Sequence, residues 1–292
     1  MRLVRFGACG SEQPGLVDAA GRLRSLVGVI GDHKGEALSL EGTERIRDIP
    51  ADKFPLVDGA PRLGPPIAGI GKIIGVGLNY RDHAKECGLA LPKEPTLFLK
   101  ATSALAGPHD PIVIPRGAQC VDWEVELGVV IGVGGVYIEQ EKATGHIAGY
   151  CVGIDVSERD FQFNRGGQGF KGKSADSFAP LGPWLVTRDE IIDPHRLTLR
   201  LSVNDVERQH GTTADMIFSV PQLVAYASQF MSLEPGDVIL TGTPAGVGMG
   251  RDPKIYLQPG DEVRATIDGL GTQRHAVVAS LTRERPAAAI PD

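Results

Sequence analysis

VDWEVELGVVIG, residues 121–132, combines an apolar, β-rich run with two glutamates that are two positions apart. Because side chains alternate along a strand, this spacing predicts Glu124 and Glu126 on one face, with Asp122 beside them if the strand begins there. Neighbouring carboxylates on an apolar strand repel one another and lose hydration, and a bound cation removes that conflict. Mg²⁺ and Mn²⁺ prefer such hard oxygen ligands. The alternative is that both glutamates face solvent on an edge strand.

A third carboxylate follows the next strong strand, in GYCVGIDVSERD (149–160). Asp155 comes directly after the apolar run, and we expect it to project from the strand end beside the glutamate pair. Three such carboxylates are typical of an oxygen-ligand metal site. The spacing by itself leaves the metal site and the solvent-facing alternative equally open.

The rest of the chain alternates short apolar runs with glycine-rich loops, which predicts a fold with many strands and tight turns. Residues 1–68 are interpreted as a small N-terminal β-domain, with a hairpin tip at 19–21 and a proline-rich linker at 62–69, and residues 69–292 as the catalytic domain. The β-rich runs predicted in that second part lie at 73–78, 121–133, 149–156, 184–187, 197–203 and 237–242.

Helical patterns are few. The clearest cover 81–88 and 219–233, the latter with Ser219 as N-cap and Pro221 in its first turn. The predicted class is therefore α+β and strand-rich.

Composition narrows the functional classes. The formal net charge is −6, which argues against a nucleic-acid partner. The sequence shows no signal-peptide pattern and no apolar stretch of membrane-spanning length, so no membrane partner is expected. Four widely spaced cysteines without a CxxC motif indicate reduced thiols in a cytoplasmic protein, and together with the lack of a suitable histidine pair they disfavour a zinc hydrolase.

RDHAKECG (81–88) carries a histidine and a glutamate three positions apart. On a helix, His83 and Glu86 share a face, and Asn79 and Gly88 are suited to begin and end that helix. A carboxylate that holds a histidine makes it a good general base. Taken alone, the pair is more typical of a solvent-facing contact.

Several further polar residues have alternative interpretations. Lys173 lies among glycines, away from any predicted helix, where a surface charge is the ordinary outcome. Arg159 and Gln162 follow Asp155, and the alternative for Arg159 is a surface ion pair with its neighbours Glu158 or Asp160.

LTGTPAGVG (240–248) is a glycine-rich turn after a strand. The backbone N–H groups at Gly242 and Thr243 could bind an anion there, although the turn lacks the features of a Walker loop.

Six segments in order together resemble the fumarylacetoacetate hydrolase family over about residues 70–250, and the first 26 residues resemble the small N-terminal domain of its bacterial members. The segments are IIGVGLNYRDHAKECG (73–88), PTLFLKATSALAGPHDPIVIP (95–115), VDWEVELGVVIG (121–132), GYCVGIDVSERDFQ (149–162), GKSADSFAPLGPW (172–184) and DVILTGTPAGVG (237–248).

This resemblance implies a mixed β-roll with few helices, bound Mg²⁺ or Mn²⁺, and a homodimer. It places the metal ligands on Glu124, Glu126 and Asp155. His83 and Glu86 become a water-activating pair on a short lid helix. The roles that it implies for the remaining residues are an enolate-stabilising lysine at Lys173 and substrate contacts at Arg159, Gln162, Gly242 and Thr243. The GGQGF segment (166–170) departs from the family's usual sequence before this lysine.

The resemblance also implies a reaction: cleavage of the C3–C4 bond of a small 2,4-diketo acid to give pyruvate and a carboxylic acid. The N-terminal PGLVDAAGRLRSL and segments near 87–95 and 165–190 look most like members that act on 2,4-diketo-3-deoxy sugar acids and release lactate. Oxaloacetate decarboxylation, hydration and keto–enol isomerisation are alternatives within the family. A non-catalytic binding protein is a different alternative, which the presence of every expected ligand and dyad residue disfavours.

Overall fold

Two strands that are buried along their whole length form the centre of the fold. The computed structural model describes residues 1–280. The two strands are VELGVVI and IAGYCVGI, and neither alternates between apolar and polar residues, as expected for strands that are covered on both faces. The predicted catalytic domain extends to residue 292, and its residues 281–292 lie outside the described residues.

The strands are β1 (Arg2–Phe6), β2 (Gln13–Val17), β3 (Leu23–Ser25), β4 (Leu63–Gly64), β5 (Ile73–Gly77), β6 (Thr96–Lys100), β7 (Leu105–Ala106), β8 (Ile112–Ile114), β9 (Val121–Asp122), β10 (Val125–Ile131), β11 (Ile147–Ile154), β12 (Ser157–Glu158), β13 (Ala179–Thr187), β14 (Thr198–Val203), β15 (Val206–Thr212), β16 (Val238–Leu240), β17 (Glu262–Ile267) and β18 (Gly271–Ala279).

The α-helices are α1 (Leu40–Arg47), α2 (Arg81–Glu86), α3 (Arg159–Phe163), α4 (Phe170–Lys173) and α5 (Val220–Ala227). Short 3₁₀ helices lie at Gly35–Leu38, Ala51–Lys53, Thr102–Ala104, Gln140–His146, Arg188–Glu190, Thr213–Asp215 and Gly248–Gly250. The strand-rich α+β class is thus confirmed, and each predicted β-rich run contains a strand. No helix among residues 1–280 is both long enough and apolar enough to cross a membrane.

A large sheet with the strand order β3-β2-β1-β13-β11-β10-β16-β5-β6 runs through the molecule, with β4 paired to β1 and β7 to β13. A second sheet, β15-β14-β17-β18-β8, packs against its centre, where β10, β11 and β13 contact β14, β17 and β18. A third pairing, β9 with β12, is short. The buried side chains of the two larger sheets form one continuous apolar core.

The N-terminal strands continue the large sheet, because Arg2 and Leu3 of β1 pair with Val186 and Leu185 of β13. The predicted hairpin is present: β2 and β3 are antiparallel, and Asp18 accepts hydrogen bonds from the backbone of the turn between them. Part of the predicted 62–69 linker forms β4. A domain boundary at residue 68 stays a prediction.

The two clearest helix predictions were right in position and wrong in detail. Helix α5 has Ser219 as its N-cap, with a capping box to Gln222. It ends at Ala227 instead of 233, and the Ser228 carbonyl beyond it accepts a hydrogen bond from the N–H of Tyr137.

Helix α2 begins after Tyr80, and Gly88 follows its end with φ of 66°. Asn79 does not cap it. Its side chain instead bonds the backbone of Phe218 and Thr241, which ties this loop to two distant segments.

Candidate active site

The three predicted carboxylates converge at an interruption between two strands. β9 ends at Asp122 and pairs with β12, whereas β10 begins at Val125. Asp155 follows β11 directly, and its N–H donates to the carbonyl of Glu124 at 2.9 Å. As a result, ligand oxygens of Glu124, Glu126 and Asp155 all lie within 4.8 Å of one another.

All three side chains are buried, with Glu124 6%, Glu126 2% and Asp155 0% exposed. The alternative of solvent-facing glutamates on an edge strand is therefore wrong, since β10 lies between β11 and β16.

Asp122 is not one of these converging ligands, and the uninterrupted strand that would have placed it on the same face is not present. Because the strand is interrupted, the Asp122 carboxylate accepts hydrogen bonds from the N–H groups of Trp123, Gly248 and Met249 and from the Arg159 side chain. It thus anchors the 248–249 backbone and the arginine.

Two buried cations contact Glu124 from either side. Lys173 Nζ lies 2.8 Å from Glu124 Oε2 and 2.5 Å from Asp155 Oδ2. Arg159 Nη2 lies 2.6 Å from Glu124 Oε1 and 2.8 Å from Asp122 Oδ2. Burial alone would raise the pKa of Glu124, but the charges of Arg159 and Lys173 outweigh it and hold this pKa well below its usual range.

These contacts correct two expectations. Arg159 makes no surface pair, because Asp160 pairs with Arg165 and Glu158 accepts from the backbone of Gln119, Cys120 and Phe161. Lys173 was expected away from any helix but ends the short helix α4, which places its ammonium group in the carboxylate cluster.

Lys100 is a third buried cation in the cluster. Its Nζ bonds Asp155 Oδ1 and lies 3.2 Å from the carbonyl of Val156. Asp155 is therefore held by an ammonium group on each of its oxygens, Lys100 on one and Lys173 on the other.

Glu126 is the exception. Among the described residues, no cationic side chain lies within 4.0 Å of its carboxylate, and its recorded hydrogen bond comes from the N–H of Gly242 at 2.7 Å. Burial, together with the charges of Asp155 and Glu124, raises the pKa of Glu126 well above its usual range. The cluster thus contains one buried carboxylate whose charge the protein's own cations leave unpaired.

This donor set fits a hard divalent cation. The converging groups are all carboxylate oxygens, and the uncompensated charge at Glu126 is what a bound Mg²⁺ or Mn²⁺ would neutralise. Glu124, Glu126 and Asp155 are the residues that would hold it.

The His83–Glu86 pair has the geometry of an oriented base. His83 Nδ1 lies 2.9 Å from Glu86 Oε2, and Glu86 Oε1 accepts from the N–H of Gly246 at 2.8 Å. With Nδ1 engaged, Nε2 is the nitrogen available to take a proton. Burial lowers the pKa of His83, but hydrogen bonds with Cys87 and Glu86 and the charge of Glu124 outweigh it and raise this pKa to about 10, so the ring is protonated at neutral pH when the carboxylate cluster carries no cation. A divalent cation held by Glu124 and its neighbours would lower this pKa again and so allow His83 to act as a base.

One glycine-rich loop joins this pair to the carboxylate cluster. Gly242 donates to Glu126, and Gly246, four residues later, donates to Glu86. Gly242 has φ of 94°, and a Cβ added there would lie 2.8 Å from the Cβ of Asn79. Gly246 has φ of 110° and is packed against the backbone of Arg208. Both positions therefore require glycine, which is how the loop comes close enough to hold both carboxylates.

The predicted substrate contacts lie around this cluster and are occupied by protein groups. Arg159 Nη1 donates to Gln162 Oε1 at 3.0 Å. The Thr243 hydroxyl donates to the carbonyl of Val125 at 2.9 Å, and the N–H of Gly242 is engaged with Glu126. Their contact with a substrate stays a prediction.

Sequence reasoning missed Gln209, which holds the interrupted strand. Its Oε1 accepts from the N–H of Val125 at 2.9 Å, and its Nε2 donates to Thr243 Oγ1 at 2.8 Å. Gln209 is the one fully buried member of the strand VERQHGT, and its contacts join segments that no local sequence pattern links. Lys100, whose ammonium group bonds Asp155, is likewise a residue to which the sequence assigned no role.

The site thus combines three buried carboxylates that converge, cations that compensate two of them, and a histidine held by a glutamate. The family model described as fumarylacetoacetate (FAA) hydrolase C-terminal matches residues 72–278. The chain belongs to the fumarylacetoacetate hydrolase family.

Individual relatives and solved structures support the same family membership. A provisionally named hydrolase of Burkholderia cenocepacia is 53% identical over 281 residues, covering 94% of this chain and 100% of that protein. The structure of fumarylacetoacetate hydrolase from Exiguobacterium antarcticum is 36% identical, with a TM-score of 0.83, and covers 96% of this chain and 100% of its own. Maleylpyruvate hydrolase from Sphingobium sp. SYK-6, in complex with manganese(II) and pyruvate, is 30% identical with a TM-score of 0.79 and the same coverage.

Proposed function

We propose that this protein is a Mg²⁺- or Mn²⁺-dependent hydrolase that cleaves the C3–C4 bond of a small 2,4-diketo acid to pyruvate and a carboxylic acid. The observation that carries the proposal is the loop in which Gly242 holds Glu126 and Gly246 holds Glu86. It couples a site for a hard cation to a histidine base that can activate water. The manganese and pyruvate bound by maleylpyruvate hydrolase are consistent with this chemistry.

A divalent cation bound by Glu124, Glu126 and Asp155 would polarise the carboxylate and keto oxygens of the substrate and stabilise an enolate. His83 Nε2 takes a proton from water, and the resulting hydroxide adds to the C4 carbonyl carbon. Glu86 keeps the ring oriented and stabilises the imidazolium that forms. The C3–C4 bond then breaks, its electron pair goes to C3, and protonation at C3 completes pyruvate.

Lys173 is the residue that would meet the developing negative charge of the enolate. Its ammonium group is buried and already held by Glu124 and Asp155, so it needs no reorganisation during the reaction. Arg159, Gln162, Gly242 and Thr243 are proposed to contact the substrate's carboxylate or carbonyl oxygens.

For the acyl half, we propose an acylpyruvate or a 2,4-diketo-3-deoxy sugar acid, of which the sugar acid would release lactate. The family's decarboxylase, isomerase and hydratase reactions are the alternatives, and hydration, which also consumes water, differs from hydrolysis in that it releases no pyruvate. A water-activating pair favours hydrolysis, since neither keto–enol isomerisation nor decarboxylation consumes water. We also propose a homodimer, which light scattering of the purified protein tests.

The experiment follows loss of the enolised-diketone absorbance of acetylpyruvate and of a 2,4-diketo-3-deoxy sugar acid, with pyruvate measured separately by a coupled assay. Reactions contain Mg²⁺ or EDTA and use wild type, Glu126→Gln and, as a matched control, Glu139→Gln, whose side chain is exposed. We expect pyruvate release that requires Mg²⁺, is lost in Glu126→Gln and persists in Glu139→Gln. No turnover of either substrate by Mg²⁺-loaded wild type would refute the hydrolase and turn attention to oxaloacetate decarboxylation.

A further inference from the structure

A second group of potential ligands lies on helix α2, next to the carboxylate cluster but chemically different from it. His83, Glu86 and Cys87 place an imidazole nitrogen, a carboxylate oxygen and a thiol sulfur within 4.8 Å of one another. Cys87 has no part in the proposed reaction. Its Sγ lies 3.9 Å from both ring nitrogens of His83.

The helix produces this arrangement directly. Positions three and four residues after His83 lie on the same face, one turn further along. Glu86 is fixed by the N–H of Gly246, and its side chain is 15% exposed. Cys87 is half-buried and is a free thiol. The three groups are therefore neighbours on one face of the helix, and Glu86 and Cys87 are accessible to an ion from solution.

We propose that His83, Glu86 and Cys87 form a second metal site, selective for borderline-soft divalent cations such as Zn²⁺. Nitrogen, sulfur and one carboxylate oxygen are the ligands that zinc takes, with a fourth position left to water. Mg²⁺ avoids thiolates, so the two sites differ in the ions that they accept.

The distances are compatible with such a site after small side-chain rotations. Zinc bonds of about 2.3 Å to sulfur and about 2.0 Å to nitrogen place the two ligand atoms roughly 3.5 Å apart in a tetrahedron. The observed 3.9 Å is close to that value. Because Sγ is equally far from both ring nitrogens, the imidazole must turn to direct one of them at the ion. Binding would also displace the thiol proton of Cys87.

Occupation of this site has a functional consequence, which rests on the proposed function. An ion bound to the imidazole removes the base that activates water, so Zn²⁺ should inhibit even when Mg²⁺ saturates the carboxylate site. Excess Mg²⁺ should not relieve this inhibition, because Mg²⁺ has little affinity for the imidazole and thiolate of this second site.

The direct test is spectroscopic and independent of turnover. Co²⁺, which takes zinc's ligands, is titrated into the whole protein in saturating Mg²⁺, and thiolate-to-cobalt absorption is recorded in the near ultraviolet. We expect the band in wild type and in Cys120→Ser, another half-buried cysteine, and its loss in Cys87→Ser. Zn²⁺ affinity, measured against a chromophoric chelator, should fall at least about tenfold in Cys87→Ser. The absence of a band in wild type, or its persistence in Cys87→Ser, would overturn the proposal.

A second measurement needs no variant. Zn²⁺ should slow alkylation of Cys87 in the wild-type protein, read by peptide mass spectrometry, while the exposed Cys9 reacts at an unchanged rate. Equal rates at Cys87 with and without Zn²⁺ would contradict the site. If the cobalt band is present but no diketo acid is turned over, the proposed hydrolase function is refuted, whereas the second metal site is supported.

Discussion

Replacing Glu126 by glutamine should stabilise the metal-free protein while abolishing its response to Mg²⁺. Glu126 is buried beside Asp155 and Glu124, and among the described residues no cation pairs with it. A glutamine side chain at this position has the same size and can still accept the hydrogen bond from Gly242. The substitution thus removes an unfavourable charge at little steric cost.

The magnitude follows from proton linkage. The carboxyl of Glu126 has an ordinary pKa of 4.5, which folding raises. Below pH 4.5 the group is neutral in both states and the substitution changes little. As pH rises above 4.5, the folded state must either keep a proton that the unfolded state releases or carry a buried charge. As long as the folded state keeps this proton, wild type loses about 1.4 kcal/mol of stability per pH unit above 4.5 relative to the glutamine variant. In a domain of this size, each such pH unit corresponds to roughly 3 °C in melting temperature.

The assay is thermal unfolding in EDTA and in Mg²⁺ between pH 4.5 and 8, with Glu124→Gln as the matched comparison. Glu124 is paired with Lys173 and Arg159, so its replacement leaves buried cations uncompensated and should lower the melting temperature in EDTA. Mg²⁺ at a hundred times its Kd should stabilise wild type by about 2.7 kcal/mol and neither variant. If both variants shift in the same direction in EDTA, the assignment of Glu126 as the unpaired carboxylate is refuted.

Three further predictions concern other buried groups. His83→Gln should lower kcat at least about a hundredfold, because glutamine cannot take the proton, and should leave the Mg²⁺-induced rise in melting temperature unchanged. Lys100→Met should lower the free energy of unfolding in urea by about 3 kcal/mol, because one oxygen of the buried Asp155 loses its ion pair. Lys142→Met, at an exposed position, is the control and should leave this free energy unchanged. Burial lowers the pKa of His275 to about 4. The free energy of unfolding of wild type should therefore fall by about 3 kcal/mol as pH falls from 6.5 to 4. Urea unfolding at the two pH values should show that His275→Gln largely removes this loss.

The convergence of the three carboxylates was predictable in part, because Glu124 and Glu126 are two residues apart and Asp155 directly follows the strand that pairs with β10. Their burial was not: the spacing left a solvent-facing pair equally open, and the family resemblance decided between the two. The His83–Glu86 contact could also be predicted from the sequence, because residues three apart on a helix lie on the same face.

Contacts between segments that are distant along the chain could not be predicted from the sequence. Gln209 lies 84 positions from Val125, whose N–H it satisfies, and Lys100 lies 55 positions from Asp155. No periodicity links such residues, because the packing of the two larger sheets decides which of them meet. Asn79 shows the same limit: a suitable N-cap by local rules, it bonds Phe218 and Thr241 instead.

Hydrolysis of acetylpyruvate with Mg²⁺ in isotopically labelled water, H₂¹⁸O, tests most directly whether this protein is a hydrolase that activates water. Attack of activated water on the C4 carbonyl predicts one labelled oxygen in the carboxylate of the acetate released. It also predicts loss of the reaction in EDTA and in His83→Gln, but not in His210→Gln, an exposed histidine. Acetate without label, or consumption of the diketo acid without carbon–carbon cleavage, would contradict a water-activating hydrolase.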